Sequence, residues 1–398
     1  MIMTDQFDRM WSELLPIGRN EHTGGYRRYA WTPEDALLRD WFAAECRSRR
    51  LELTEDRLGN QWAWWGDPDG MPGIVSGSHL DSVPDGGAYD GPLGVISALA
   101  AVDRLQREGF RPARPIGVVN FADEEGARFG VACAGSRVIT GAMSAERALG
   151  LTDADGISMA EAMRAAGRAV DIGRDPATLR RIAGFVELHV EQGRGLIDRD
   201  AAVAVGTGIW PHGRWRLELP GEANHAGTTR LEDRRDAMLS CAVAVEAARQ
   251  SAEAHDCVAT VGKVRVEPGG VNAIPSRVVC WLDARGPDER NVRAAVAEIS
   301  RVVNGLGGTV GEESWTATTS FDPGLTGRVR ELLGGHVPML GTGAGHDAGI
   351  LATAGIPATM LFVCNPTGIS HSPREYASPQ DCHAGVAALT TVIRGLTG

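Results

Sequence analysis

From Gly77 to Gly94 the chain reads GSHLDSVPDGGAYDGPLG, and this stretch limits what the rest of the chain can become. Its glycines and prolines forbid a continuous helix or strand, while His79, Asp81, Asp85 and Asp90 crowd imidazole and acid groups into twelve positions. The apolar run GIVS at 73–76, directly upstream, predicts a buried strand whose C-terminal end opens into a loop. His79 and Asp81, two apart, share one face of extended chain. A hard or borderline metal ion needs a neutral imidazole, a carboxylate to hold the ring's other nitrogen, and a further carboxylate that binds directly. Taken by itself, the segment reads equally as a polar turn bearing a surface histidine.

At 398 residues the chain exceeds what one ordinary core supports, so two domains are expected. Its 43% hydrophobic and 23% charged content is that of a globular protein. The net charge is −11 and no run of Lys or Arg could track phosphates, so neither nucleic acid nor membrane is an expected partner. The N-terminal MIMTDQFDRMWSELL carries acids where a secretory leader needs a basic flank, and no apolar segment follows. No stretch approaches the roughly 20 apolar residues of a membrane span, so a cytoplasmic location is expected. The seven cysteines (Cys46, Cys133, Cys241, Cys257, Cys280, Cys364, Cys382) are odd in number, scattered and never spaced CxxC. That points away from a disulfide framework and from a thiolate zinc site.

Apolar positions at helical spacing predict a helix over 33–50, followed by strands over 51–54 and 61–65. LGVISALAAVDRLQ predicts a helix over 93–106, and PIGVVNF at 115–121 a central strand covered on both faces. Strand, helix, strand at this spacing makes an α/β layer. Residues 141–183 read as a peripheral helical region rich in Ala and acids, and GFVELHV at 184–190 as another strand. From about Gly206 the texture changes. RWRLEL at 214–219 alternates as a half-exposed strand does, a helix covers 234–254, two further alternating strands cover 258–266 and 276–284, and a helix over 289–306, with Asp288 as N-cap, closes the unit. This order predicts a ferredoxin-like α+β domain over 207–316, inserted into an α/β domain made of residues 1–206 and 317–398.

NFADEEGARFG at 120–130 places Asp123, Glu124 and Glu125 at the C-terminal end of the 115–121 strand, where open α/β sheets hold their ligands. Adjacent side chains in extended chain point opposite ways. That suits two acids to separate tasks, one on a metal and the other facing substrate as a proton shuttle. VELHVEQGRG at 186–195 puts Glu187, His189 and Glu191 on one face with Gln192 next, and GISHSPREY at 368–376 carries His371 beyond an apolar strand. Singly, a Glu-Glu pair is usually a solvated turn and a lone His a satisfied polar group. Jointly, four strand ends bear His79 and Asp90, Glu124 and Glu125, His189, and His371. That inventory can supply two metal ions about 3.5 to 4 Å apart, sharing a carboxylate and a bridging water. Such a pair activates water and polarises a carbonyl, as amide hydrolysis requires. No strand is followed by GxGxxG opening a helix, so a dinucleotide cofactor is not expected.

The segments GSHLDSVPDGGAYDG, FADEEGARFG, ELHVEQG, NHAGTTRLEDRRDA, GGVNAIPSRV, GAGHDAG and GISHSPREY, in this order, resemble the L-carbamoylase and allantoate amidohydrolase branch of the di-metal aminoacylase and carboxypeptidase clan. The resemblance runs from about Gly25 to the C-terminus. It implies a di-metal α/β catalytic domain with an inserted lid through which two subunits dimerise. His79, His189, Glu125 and His371 would hold two divalent ions (zinc, or manganese, cobalt or nickel) and Asp90 would bridge them. Glu124 would be the general base and Asp81 would orient His79. His225 of the NHAG segment would reach the neighbouring subunit's site and hold the oxyanion. Asn272 would bind substrate and Arg285 would grip its carboxylate. Gln192, Arg214 and His346 would line the substrate side. IWPHGRWR at 209–216 and VCNPT at 363–367 depart from the family's usual pattern, beside the expected pocket.

The resemblance implies removal of a carbamoyl group from an N-carbamoyl-L-amino acid, giving the L-amino acid, carbon dioxide and ammonia. Allantoate, which also carries ureido groups and a carboxylate, is the close alternative. An N-acyl amino acid acylase or aminopeptidase of the same clan is opposed by the EQG, NHAGTT and GVNAIP segments. A metal-free binding protein is opposed by the presence of every ligand position.

Overall fold

The computed structural model describes residues 6–398, so the first five residues of the acidic N-terminal stretch lie outside it. The chain divides into two compact units. One runs to Gly208 and resumes at Ser320–Gly398, and the other is Ile209–Thr319.

The first unit is built on a nine-stranded sheet. At its centre Ile116–Phe121, Gly73–His79, Ile182–Val190 and Ala358–Val363 lie side by side in that order, all parallel. Nearly every residue of these strands is buried, as a sheet covered on both faces demands. Gln61–Trp65 and then Glu52–Glu55 extend one side antiparallel, and Val203–Ile209 runs antiparallel to Ala358–Val363 on the other. The last strand escapes the sequence reading because its glycines, Gly206 and Gly208, interrupt any alternation.

The helix Pro92–Arg107 connects Gly73–His79 to its parallel neighbour Ile116–Phe121. Proline at its start presets the backbone, and its first eleven residues are all buried, with Asp103, Arg104 and Arg107 confined to the last turns. It packs on the strands Gly73–His79 and Ile182–Val190 and against the C-terminal helix Pro379–Thr397, forming the main core with Leu93, Ile96, Leu99, Leu188, Leu361 and Val386. Residues 134–180 form four short helices over a smaller apolar cluster that includes Trp31, Phe129, Val138 and Met163. No helix among the described residues is long and apolar enough to cross a membrane.

Gly77 shows how tightly the central strands approach. Its φ is 145° and a Cβ there would lie 2.0 Å from Val119 O on the paired strand. Gly77→Ala combines overpacking with an unfavourable backbone region, and we expect a loss of about 3 kcal/mol or more of unfolding free energy, read as a lower denaturant midpoint.

The second unit has four antiparallel strands in the order Thr309–Thr316, His212–Pro220, Arg277–Arg285, Val258–Glu267. Trp215, Leu217, Leu219, Val278, Cys280, Leu282 and Ala284 bury one face against the helices Ala237–Ala254 and Glu289–Gly305. Asp288 caps the second helix, accepting from Arg290 N at 2.7 Å. The arrangement is the ferredoxin-like one, with a closing strand that sequence reading omits. Thr309–Thr316 is an edge strand, exposed along most of its length, and so carries little apolar signal.

Candidate metal centre

The four parallel strands end on one edge of the sheet, so the loops that follow them converge. His79 closes one strand, Glu124 and Glu125 follow the second, His189 sits near the end of the third, and His371 lies in the loop after the fourth. Asp90 comes from the turn that starts the helix Pro92–Arg107. Gly91, the N-cap, has φ 83°, and a Cβ there would come within 2.4 Å of the His79 ring. Backbone and imidazole can pack together because position 91 is glycine.

Asp90 is the hub of the cluster. Its Oδ1 lies 3.1 Å from His189 Nε2 and 3.5 Å from His79 Nε2, and its Oδ2 3.4 Å from His371 Nε2. His371 Nε2 is also 3.6 Å from Glu125 Oε2. Two groups of ligand atoms result, His79 with Asp90 and His189, and Asp90 with Glu125 and His371, each within 4.8 Å. Asp90 belongs to both.

The chemistry of this donor set fits divalent cations. His189 Nδ1 faces Val190 O at 2.9 Å and His79 Nδ1 faces Asp81 O at 3.2 Å. Those carbonyls put the ring proton on Nδ1 and leave each Nε2 lone pair turned toward the carboxylates. Nε2 of both rings and Glu125 Oε1 are buried with no hydrogen-bond partner. Buried lone pairs converging in this way are costly unless a cation accepts them, and nitrogen and oxygen donors suit zinc, manganese, cobalt or nickel.

Glu124 stands apart from both groups. Its Oε2 is 3.6 Å from His79 Nε2, and its Oε1 accepts the Cys133 thiol at 3.3 Å. Burial pushes its carboxyl well above the usual range; His79 opposes this, and Asp347, Glu125 and Asp81 add to it. Burial works against the charge of Asp90 too, but His189, His371 and His79 outweigh it and hold that carboxyl well below the usual range. A carboxyl that takes a proton readily, beside one that stays ionised, separates an acid–base role from a ligand role. Glu125 is pushed up to about 7 by burial and by the charge of Asp90.

Other residues take places that spacing alone does not reveal. The Asp81 carboxylate is 3.4 Å from His79 Nδ1, farther than the residue's own carbonyl, and it accepts the main-chain N–H groups of Glu124 at 3.2 Å and Glu125 at 3.0 Å. It therefore organises the two glutamates as much as the histidine. Glu191 does not share the face of Glu187 and His189: its carboxylate turns back onto the N–H groups of Gly195 and Leu196. Gln192 donates to Asp90 Oδ2 at 2.9 Å. His346 packs against His189 with ring centroids 4.5 Å apart and planes tilted by 60°, and burial together with the His189 charge holds it well below the usual histidine range. Glu187, His189 and His346 also form a compact trio. The Glu187 oxygens already accept from Ser78 Oγ at 2.7 Å and Ala348 N at 3.0 Å, so this trio is polar support beneath the cluster. Ser78, Ser370 and Glu375 lie inside the quoted motifs, yet their roles depend on partners distant in sequence.

In the second unit, Asn224–His225 pairs antiparallel with Ala273–Ile274, which sets His225 beside the turn carrying Asn272. Both residues are exposed. His225 Nδ1 accepts Gly227 N at 3.0 Å, so the ring proton resides on Nε2 and is available to donate. Arg285 and Asp283 form a bidentate pair at 2.7 and 2.6 Å, and Arg214 Nε lies 3.6 Å from the same carboxylate. These side chains occupy the sheet face opposite the helices.

The profile of the family described as Peptidase family M20/M25/M40 matches residues 75–395. The chain is similar to the N-carbamoyl-L-amino acid amidohydrolase of Geobacillus stearothermophilus, with 35% identity over 96% of this chain and 97% of that protein. It is 33% identical to the allantoate amidohydrolase of Bacillus subtilis, over 93% of this chain and 92% of that one. Among solved structures, an amidase of the hydantoinase/carbamoylase family from Burkholderia multivorans superposes with a TM-score of 0.85 at 31% identity, covering 98% of both chains.

Proposed function

The chain belongs to peptidase family M20/M25/M40, in its carbamoylase and allantoate amidohydrolase branch, and on that premise we propose that it removes the carbamoyl group of an N-carbamoyl-L-amino acid by hydrolysis. The observation that carries this reading is the sharing of Asp90 by two ligand groups while Glu124, beside them, serves neither. His79 and His189 with Asp90, and Glu125 and His371 with Asp90, would each hold one divalent ion. Such ions lower the pKa of a coordinated water toward neutrality and polarise a carbonyl.

The chain's own groups do the rest. Glu124 takes the proton from the attacking water and returns it to the departing nitrogen, a shuttle that its place beside His79 and outside both ligand groups allows. His225, with its donor on Nε2, hydrogen-bonds the developing oxyanion from a neighbouring subunit. Arg285 pairs with the substrate carboxylate, exchanging Asp283 for it, while Asn272, Gln192, Arg214 and His346 complete the substrate's surroundings. One water is consumed per carbamoyl group released as carbon dioxide and ammonia.

A homodimer through the second unit is part of the reading. Val258–Glu267 is an unpaired sheet edge, and the neighbouring helix Ala237–Ala254 exposes Leu239, Val243 and Val245. An open strand edge beside an apolar helix face is a surface that a second copy would cover.

Allantoate is the second reading, favoured by the similarity to the B. subtilis enzyme. The test is ammonia release by manganese- or zinc-loaded protein from N-carbamoyl-L-amino acids and from allantoate, with amino-acid release from an N-acetyl amino acid followed in parallel. Turnover of carbamoyl amino acids with the acetyl compound ignored is expected. Turnover of allantoate alone would move the assignment to the second reading, and preference for the acetyl compound would overturn both.

A further inference from the structure

Glu375 is buried although its neighbours Arg374 and Tyr376 are exposed. Its Oε2 accepts the main-chain N–H groups of Tyr89 at 2.9 Å and Asp90 at 3.0 Å. Its Oε1 lies 3.1 Å from Ser370 Oγ, and that hydroxyl is 3.3 Å from Asp90 Oδ2. Gln192 Nε2 joins the same pair, 2.9 Å from Asp90 Oδ2 and 3.1 Å from Ser370 Oγ. The loop is moulded to the glutamate: a Cβ at Gly87 would come 2.3 Å from Glu375 Oε2 and 2.4 Å from its Cβ.

These contacts are one-sided. Ser370 and Gln192 both act on Oδ2, the Asp90 oxygen nearest His371, whereas Oδ1 faces His79 and His189. We propose that Glu375 is a positioning residue: through Ser370 and the main chain of Tyr89 and Asp90, it aims Asp90 Oδ2 at Glu125 and His371, and so sets the affinity of that ion site separately from the His79 and His189 site. The inference rests on the two-ion reading above. A glutamate suits this place because its Oε2 takes two main-chain donors at once while its Oε1 fixes the Ser370 hydroxyl, whose single proton goes to either Glu375 Oε1 or Asp90 Oδ2.

The test is a manganese(II) titration of the full-length protein, counting free ion by its paramagnetic resonance signal against a competing chelator, for the wild type, Glu375→Gln and Ser370→Ala. In both variants one of the two equivalents should lose about 10- to 100-fold in affinity, while the other stays within about threefold. Ser370→Ala removes a single oxygen and keeps the inference testable should Glu375→Gln fail to fold. Two equivalents on the wild type, with both unchanged or both equally weakened in the variants, would overturn the role of Glu375 alone. Fewer than two equivalents on the wild type would overturn the two-ion reading and this inference with it.

Discussion

Glu124→Gln is expected to fold and to bind metal as the wild type does, yet to lose about 1,000- to 10,000-fold in kcat, the upper part of the range that a positioned acid–base group contributes. The substitution keeps the side chain's shape and an oxygen to accept the Cys133 thiol, so packing should survive. What disappears is the proton carrier. Because Glu124 lies outside both ligand groups, bound metal measured on the assayed sample should be unchanged, which separates this variant from His79→Ala or His371→Ala, where metal and activity should fall together. Activity within tenfold of the wild type would remove Glu124 from the role of base.

The second large effect concerns His225, which sits on the second unit with its Nε2 proton free to donate. His225→Ala should cost about 100- to 1,000-fold in kcat, as removal of one oxyanion donor does, with little change in substrate affinity because the charge it meets exists only in the transition state. The decisive arm is mixing. An inactive Glu124→Gln subunit and an inactive His225→Ala subunit, exchanged at equal amounts, form a heterodimer in which one site regains both groups. In a statistical mixture about a quarter of all sites should then be active. Absence of recovery, with subunit exchange verified by mass, would place His225 in its own subunit's site or outside catalysis.

Much of this arrangement can be read from the chain before any coordinates. Apolar runs such as GIVS and PIGVVNF make buried strands, and the glycines and acids that follow must then lie at strand ends. The helix over Pro92–Arg107 and the ferredoxin-like order of the second unit follow from periodicity in the same way. Reading failed where the local signal was weak for a physical reason. The strand Val203–Ile209 is broken by glycines, and Thr309–Thr316 lies at an exposed edge where only Val310 and Trp315 pack against the core, so neither shows alternation. Glu191 departs from the alternation because its strand ends at Val190, where the chain turns and the carboxylate finds nearer amide donors at Gly195 and Leu196.

What the chain determines alone is therefore the chemical inventory and its rough address: three histidines and three carboxylates delivered to one edge of a parallel sheet, because strand and loop boundaries are local properties. Which of them share a partner is a different matter. That Asp90 joins two groups, that Glu187 settles on Ser78 109 positions away, and that Glu375 clasps the Asp90 amide across 285 positions are decided by how strands order and loops pack. Those pairings depend on distances of a few ångströms between segments remote along the chain, and no spacing within a motif carries that information.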